Sequence, residues 1–203
     1  MEYNYLTSEG REGCGQGQNR RPRTAVQYIH DVLLRAAEEK LDVYILTGSL
    51  SKPLRDDYYL QVVGESFADS LERVLIAGGD IRIIVWNEDS SDLISPEIHW
   101  LQRKLKYESY PGALRVLCSD TQEHADEIPH FIIARNKAEG RERWIARVEA
   151  THPPHPVSET ITDESPETPA LIEFDTEAAK ELAGQLFDAF LRFEKVIRER
   201  DNI

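Results

Sequence analysis

The segment Gly78–Trp86 reads Gly-Gly-Asp-Ile-Arg-Ile-Ile-Val-Trp, so that a pair of glycines stands two positions before an apolar run. Paired glycines are typical of helix ends, because glycine adopts the left-handed backbone conformation that closes a helix. The run Ile81–Trp86 has the length and composition of a buried strand. The segment therefore predicts a helix that passes directly into a strand of a covered sheet.

The same order of helix and strand occurs upstream. Apolar residues at helical spacing predict one helix over about Asp57–Ile76 and an earlier helix over Thr24–Lys40. The earlier helix runs into the apolar segment Leu41–Leu46, which predicts a second buried strand. Two consecutive helix-to-strand units favour an α/β fold over an all-helical or all-strand fold.

Downstream of Trp86 the pattern continues and then changes. Ser95-Pro96-Glu97 predicts the start of a third helix, since proline is tolerated in a first turn. The later predicted elements are a strand at Leu114–Cys118, a hairpin of Phe131–Ala134 and Trp144–Val148, a short extended segment Leu171–Phe174, and a last helix from about Asp175 to Arg200. The predicted fold is α/β, with a mixed β-sheet flanked by helices.

The 203 residues suit one domain with a full core. Residues 1–23 contain four glycines among polar residues, and we expect a flexible N-terminal arm there. The α/β domain is expected over residues 24–203. Within it, residues 151–170 hold five prolines together with many acidic and hydroxyl residues, which predicts a disordered loop.

Composition restricts the function classes. The net charge of -13 argues against a protein that coats nucleic acid or an anionic membrane, so a nucleic acid is expected only at a local basic patch. No apolar run reaches the roughly 20 residues that span a bilayer. The two cysteines, Cys14 and Cys118, predict no disulfide framework, and we expect a cytoplasmic protein.

Three segments carry a resemblance to a known superfamily. Helix Thr24–Lys40 with the strand ending in Thr47-Gly48-Ser49, the segment Gly78–Val85, and the closing helix from Phe174 to Asp188 together resemble a single repeat of the phospholipase D superfamily. The superfamily signature is His-x-Lys-x4-Asp beside a strand. Here His130 matches its histidine, but Ile132 occupies the lysine position and Lys137 the aspartate position.

The resemblance implies a site. In such enzymes a histidine attacks phosphorus, a second histidine protonates the leaving oxygen, and lysines bind the nonbridging oxygens. One repeat supplies one histidine, so the resemblance implies a homodimer that pairs two copies of His130. Without the lysine, phosphate would have to be bound by Arg135, Arg147 or the backbone and hydroxyl groups of Thr47, Gly48 and Ser49. Arg147 is the favoured substitute, because its strand could pair with the strand that follows His130. We expect no cofactor and no metal.

Two functions from different classes follow. The first is a catalytically degenerate phospholipase D-like domain that acts as a binding, regulatory or scaffold protein, associates with itself and contacts a protein partner. The second is a dimeric, metal-independent phosphodiesterase or nuclease that uses His130 from each subunit. An unrelated α/β regulatory domain is a further alternative, because helix–strand patterns recur among many folds.

Overall fold

The structure is a computed structural model that describes residues 25–47, 56–86, 96–119, 131–138, 141–148, 173–174 and 177–200. These residues form five helices and six strands. The helices are α1 (Ala25–Glu39), α2 (Asp56–Val63), α3 (Phe67–Ala77), α4 (Pro96–Lys104) and α5 (Glu177–Arg200). The strands are β1 (Asp42–Thr47), β2 (Ile81–Trp86), β3 (Leu114–Ser119), β4 (Phe131–Ala138), β5 (Arg141–Val148) and β6 (Glu173–Phe174). The predicted arm at 1–23 and loop at 151–170 lie outside the described residues.

The strands form one mixed sheet in the order β3-β2-β1-β4-β5-β6. Strands β1, β2 and β3 are parallel, β4 is antiparallel to β1, and β5 and β6 continue in antiparallel pairs. The parallel pairs need crossover helices, which α2, α3 and α4 supply, whereas β4 and β5 are consecutive in the chain. The predicted α/β fold with a mixed sheet and flanking helices is therefore confirmed.

The sheet has a core on each face, because neighbouring residues of a strand point to opposite sides. In β1, Val43 and Ile45 join a core with α1, α2, α3 and α4, whereas Tyr44 and Leu46 join a second core with α5. On the α5 face, Arg82 donates to the buried carboxylate of Glu194 at 3.3 Å and lies 5.8 Å from the Tyr44 ring centroid. A single helix thus supplies the described cover of this face.

One predicted helix is two helices in the structure. The apolar stripe predicts a continuous helix over Asp57–Ile76, but α2 ends at Val63 and α3 begins at Phe67. Gly64 has a φ of 85°, and Ser66 forms a capping box in which its hydroxyl accepts from the Asp69 N–H while the Asp69 carboxylate accepts from the Ser66 N–H. The break is stable because the cap satisfies donors at the new helix start.

Gly78 and Gly79, which precede β2, have different structural roles. Gly78 has a φ of 97° and closes α3, as predicted. Gly79 lies where the backbone segments that lead into β1 and β2 meet, and a Cβ at this position would be 2.2 Å from the carbonyl oxygen of Leu41. Nearby, the Asp42 carboxylate accepts from the Asp80 N–H at 3.0 Å, and the Asp80 carboxylate accepts from the Ala113 N–H at 2.9 Å. These contacts align the starts of the three parallel strands.

Candidate functional site

The candidate site lies at the edge of the sheet where β1 ends and β4 begins. β1 pairs in parallel with β2 on one side and antiparallel with β4 on the other, and Leu46 is paired with Phe131. In open α/β sheets, ligands bind outside the carboxyl ends of strands where the strand order changes direction. Thr47 ends β1 at this edge and is 7% exposed. His130, Gly48 and Ser49 adjoin the edge in sequence but lie outside the described residues.

Position 132, where the resemblance requires a lysine, belongs to the core. Ile132 is paired with Ile45 of β1 and is 3% exposed. Its side chain joins the apolar cluster beneath α1 to α4. A lysine here would have to bury its ammonium group among apolar side chains, which carries a cost of several kcal/mol, of order 3–5, for an unpaired charge. The residue at the lysine position is therefore used for packing.

The register of the hairpin brings one of the two candidate arginines to this position. Arg147 is paired directly with Ile132, and its neighbour Val148 is paired with Phe131. The sequence leaves this register as a guess, because strand pairing is a property of the folded sheet. The backbone of Arg147 therefore lies beside the strand that follows His130.

The same register separates Arg135 from the candidate site. Arg135 is paired with Asp42, the first residue of β1, whereas Phe131 is paired with Leu46 near its end. Four residues of strand correspond to about 13 Å. The Arg135 guanidinium lies 4.4 Å from the centroid of the Phe187 ring on α5. The structure therefore does not bring Arg135 together with Thr47. Arg135 lies away from the edge at which the phosphate site was expected.

The structure contains a buried polar network, centred on Ser70, that the sequence did not predict. The Ser70 hydroxyl donates to Glu65 Oε1 at 2.7 Å, and since its single proton is then used, the Tyr59 hydroxyl donates to Ser70 Oγ at 2.9 Å. His30 Nδ1 lies 3.3 Å from Ser70 Oγ and 3.4 Å from Glu65 Oε1, and Arg73 pairs with the same carboxylate. Burial raises the pKa of Tyr59 well above its ordinary value.

The network joins a serine, a histidine and a glutamate, but its geometry is not that of a nucleophilic triad. In a triad the imidazole bridges the hydroxyl and the carboxylate through its two different nitrogens. Here both groups contact Nδ1, and Ser70 is only 2% exposed. The network therefore connects α1, α2 and α3 internally. The contact that ties α1 into the network joins His30 to Ser70, which lie 40 residues apart and so leave no local sequence signal.

Metal-ligating clusters and membrane-spanning helices are both absent from the described parts of the chain. Within them, no three His, Cys, Asp or Glu side chains are grouped so that they could hold a metal ion. In the same residues, no helix has both the length and the apolar character needed to cross a membrane. Cys118 is half-buried on β3, and burial raises the pKa of its thiol, which disfavours the reactive thiolate.

Comparison with known proteins supplies no family for this chain. No protein-family model matches it, and no curated protein matches it. A function for this chain therefore has to be inferred from its own residues at the edge formed by β1, β4 and β5.

Proposed function

We propose that this chain is a catalytically degenerate phospholipase D-like domain that acts as a binding or regulatory scaffold and associates with a second copy of itself. One observation carries the proposal. The position that would bind phosphate in an active relative holds Ile132, which is buried in the apolar core rather than directed to an open site. A core side chain cannot stabilise charge that develops on a phosphoryl group.

The remaining groups at this edge suit binding better than turnover. Thr47 is buried at the end of β1, and Arg147 lies beside β4 in the register, whereas Arg135 lies toward the other end of the strand. Catalysis of phosphoryl transfer needs several cationic groups placed around the equatorial oxygens. A single arginine position supports recognition of an anionic ligand or partner and is a weak basis for rate acceleration.

A phosphodiesterase assay tests this proposal. Wild-type protein and His130→Ala would be purified in parallel and incubated in EDTA with labelled single- and double-stranded DNA and with bis(p-nitrophenyl) phosphate. We expect neither protein to exceed the buffer rate. Turnover by the wild type in EDTA that disappears in His130→Ala would contradict the scaffold function. Lys195→Ala, on the exposed surface of α5, controls for differences between preparations.

Self-association has its own test. Light scattering on the full chain across a concentration series should give the mass of a dimer. A monomer at every concentration would remove self-association from the proposal, while the phosphodiesterase result would still decide between scaffold and enzyme.

The alternative function is a dimeric, metal-independent phosphodiesterase or nuclease with His130 from each subunit. The backbone register favours it, because the pairing of Arg147 with Ile132 puts an arginine position next to the strand that follows His130, and an arginine could replace the lysine. If EDTA-resistant turnover is found, Arg147→Ala should lower kcat by about 100-fold or more. Arg135→Ala is the matched control and should leave kcat unchanged, since the register separates it from this edge.

A further inference from the structure

The outer face of α4 and the turn after it carries an unusual set of side chains for this acidic chain. The exposed residues recur at intervals of three and four, which places them on one side of the helix. Backbone bonds from Lys106 N–H to Arg103 and from Tyr107 N–H to Lys104 continue the helical path past the end of α4. We name the α4 face by its exposed residues His99, Trp100, Arg103, Lys106 and Tyr107.

The opposite side of the same segment is anchored in the core. Ile98 and Leu101 are buried, and Leu105 packs against the same apolar cluster. Lys104, at the margin of the α4 face, pairs with Glu72 of α3. The α4 face is therefore held on a fixed segment, and its outward residues do not contribute to the core of the domain.

Two large aromatic side chains are exposed on this face. Trp100 is 43% exposed and Tyr107 is 89% exposed. The Lys104 ammonium lies 5.0 Å from the centroid of the Trp100 ring, which orients the indole. Exposed tryptophan and tyrosine beside arginine are the residue types that dominate binding energy at protein interfaces. The α4 face therefore has the anchors of an interface.

The charge of the face indicates the chemistry of its partner. The whole chain carries a net charge of -13, yet the α4 face presents Arg103 and Lys106. Among the residues that the structure describes, neither cation forms an ion pair, whereas the neighbouring Lys104 is neutralised by Glu72. Arg103 and Lys106 are thus available to meet carboxylates of another molecule.

The number of cations distinguishes between two kinds of anionic partner. The affinity of a protein for nucleic acid rises with each phosphate contact, and two cations supply few such contacts. The acidic remainder of the chain also repels a polyanion. A short protein segment needs only a few carboxylates and can fill the aromatic part of the face with apolar side chains. We propose that the α4 face docks an acidic protein segment whose carboxylates flank apolar or aromatic residues.

This inference goes beyond the proposed scaffold function, because it assigns a partner chemistry and a surface other than the edge of β1 and β4. Its failure would leave the phosphodiesterase test unaffected. Likewise, turnover dependent on His130 would contradict the scaffold function without removing the α4 face.

Peptide binding to the full chain tests the inference. The probes are a labelled peptide of about 15 residues that alternates Glu with Leu and Phe, a Glu/Gly peptide of equal charge, and a mixed-sequence single-stranded oligonucleotide. Binding is followed by fluorescence anisotropy at low and high salt. We expect saturable binding of the acidic–apolar peptide, weaker binding of the Glu/Gly peptide, and a loss of affinity at high salt.

Two double variants locate the site. Trp100→Ala with Tyr107→Ala, and Arg103→Glu with Lys106→Glu, should each weaken peptide binding by about tenfold or more. Leu191→Ala with Lys195→Glu makes a matched change on the exposed surface of α5 and should leave binding unchanged. The inference is overturned by absence of saturable peptide binding, by equal affinity in either α4-face variant, or by tighter binding of the oligonucleotide.

Discussion

At the scale of single residues, Ile132 stands where the resemblance to the phospholipase D superfamily requires a lysine. Its position in the motif, two residues after His130, suggests phosphate binding, but its surroundings are a packed apolar core. The identity of the residue was evident from the sequence. Its burial was not, because burial depends on which face of β4 meets the helices.

Replacement of Ile132 with lysine should fail to restore a site. We expect Ile132→Lys to lower the free energy of unfolding by about 3–5 kcal/mol, because an unpaired ammonium group would be buried among apolar side chains. Urea unfolding followed by circular dichroism measures this change. Ile132→Val is the control and should cost about 0.5–1.5 kcal/mol. Equal stability of the lysine variant and the wild type would show that position 132 opens to solvent.

At the scale of elements, the features that depend on local sequence patterns were predicted better than those that depend on long-range strand pairing. The bounds of β2 and the start of α4 at Pro96 agree with the prediction, since both follow from glycine and proline signals and from apolar runs. The split between α2 and α3 was missed because the apolar stripe continues across Gly64, although Ser66 and Asp69 form a recognisable capping box.

The candidate site was predicted only in part, for a related reason. Its residue types were evident from the motif, but their separation depends on strand register. The sequence favours Arg147 over Arg135 only through a guessed register, and the pairing of β4 with β1 and β5 is what separates the two arginines. No local pattern encodes the meeting of His30 with Ser70, which lie 40 residues apart.

Two glycines in different surroundings should respond oppositely to replacement by alanine. A Cβ at Gly79 would meet the Leu41 carbonyl oxygen at 2.2 Å, so Gly79→Ala should lower the free energy of unfolding by about 1–3 kcal/mol as the strand starts move apart. Gly184 lies within α5 with nothing within 4 Å of an added Cβ, and Gly184→Ala should raise stability by about 0.5–1 kcal/mol. Thermal unfolding of both variants checks the signs. A destabilised Gly184→Ala would contradict the open surroundings of that position.

At the scale of the whole molecule, each core contains a tyrosine whose hydroxyl resists ionisation. Burial is the main cause that raises the pKa of Tyr59, in the core beneath α1 to α4, and of Tyr44, in the core beneath α5. In the unfolded chain both groups ionise near pH 10. Above that pH the unfolded chain releases protons that the folded chain retains, so unfolding becomes progressively more favourable.

The stability of the protein should therefore be independent of these two groups below about pH 10 and fall as the pH rises above it. Tyr59→Phe and Tyr44→Phe should each reduce the steepness of this fall. The measurement is the free energy of unfolding in urea at a series of alkaline pH values. Curves with the same alkaline slope in wild type and both variants would be inconsistent with the burial of these hydroxyls.

The position of α5 in the chain has a consequence for biosynthesis. The strands β1, β2 and β4 and the four other helices are all translated before α5, which packs on Tyr44, Leu46, Ile84 and Ile133 from the opposite face of the sheet. Among the described residues, a nascent chain can therefore assemble the face beneath α1 to α4 before the helix that covers the other face is made. Uncovered apolar surfaces are prone to aggregate. Until α5 has emerged from the ribosome, this face of the sheet lacks the helix that packs on it.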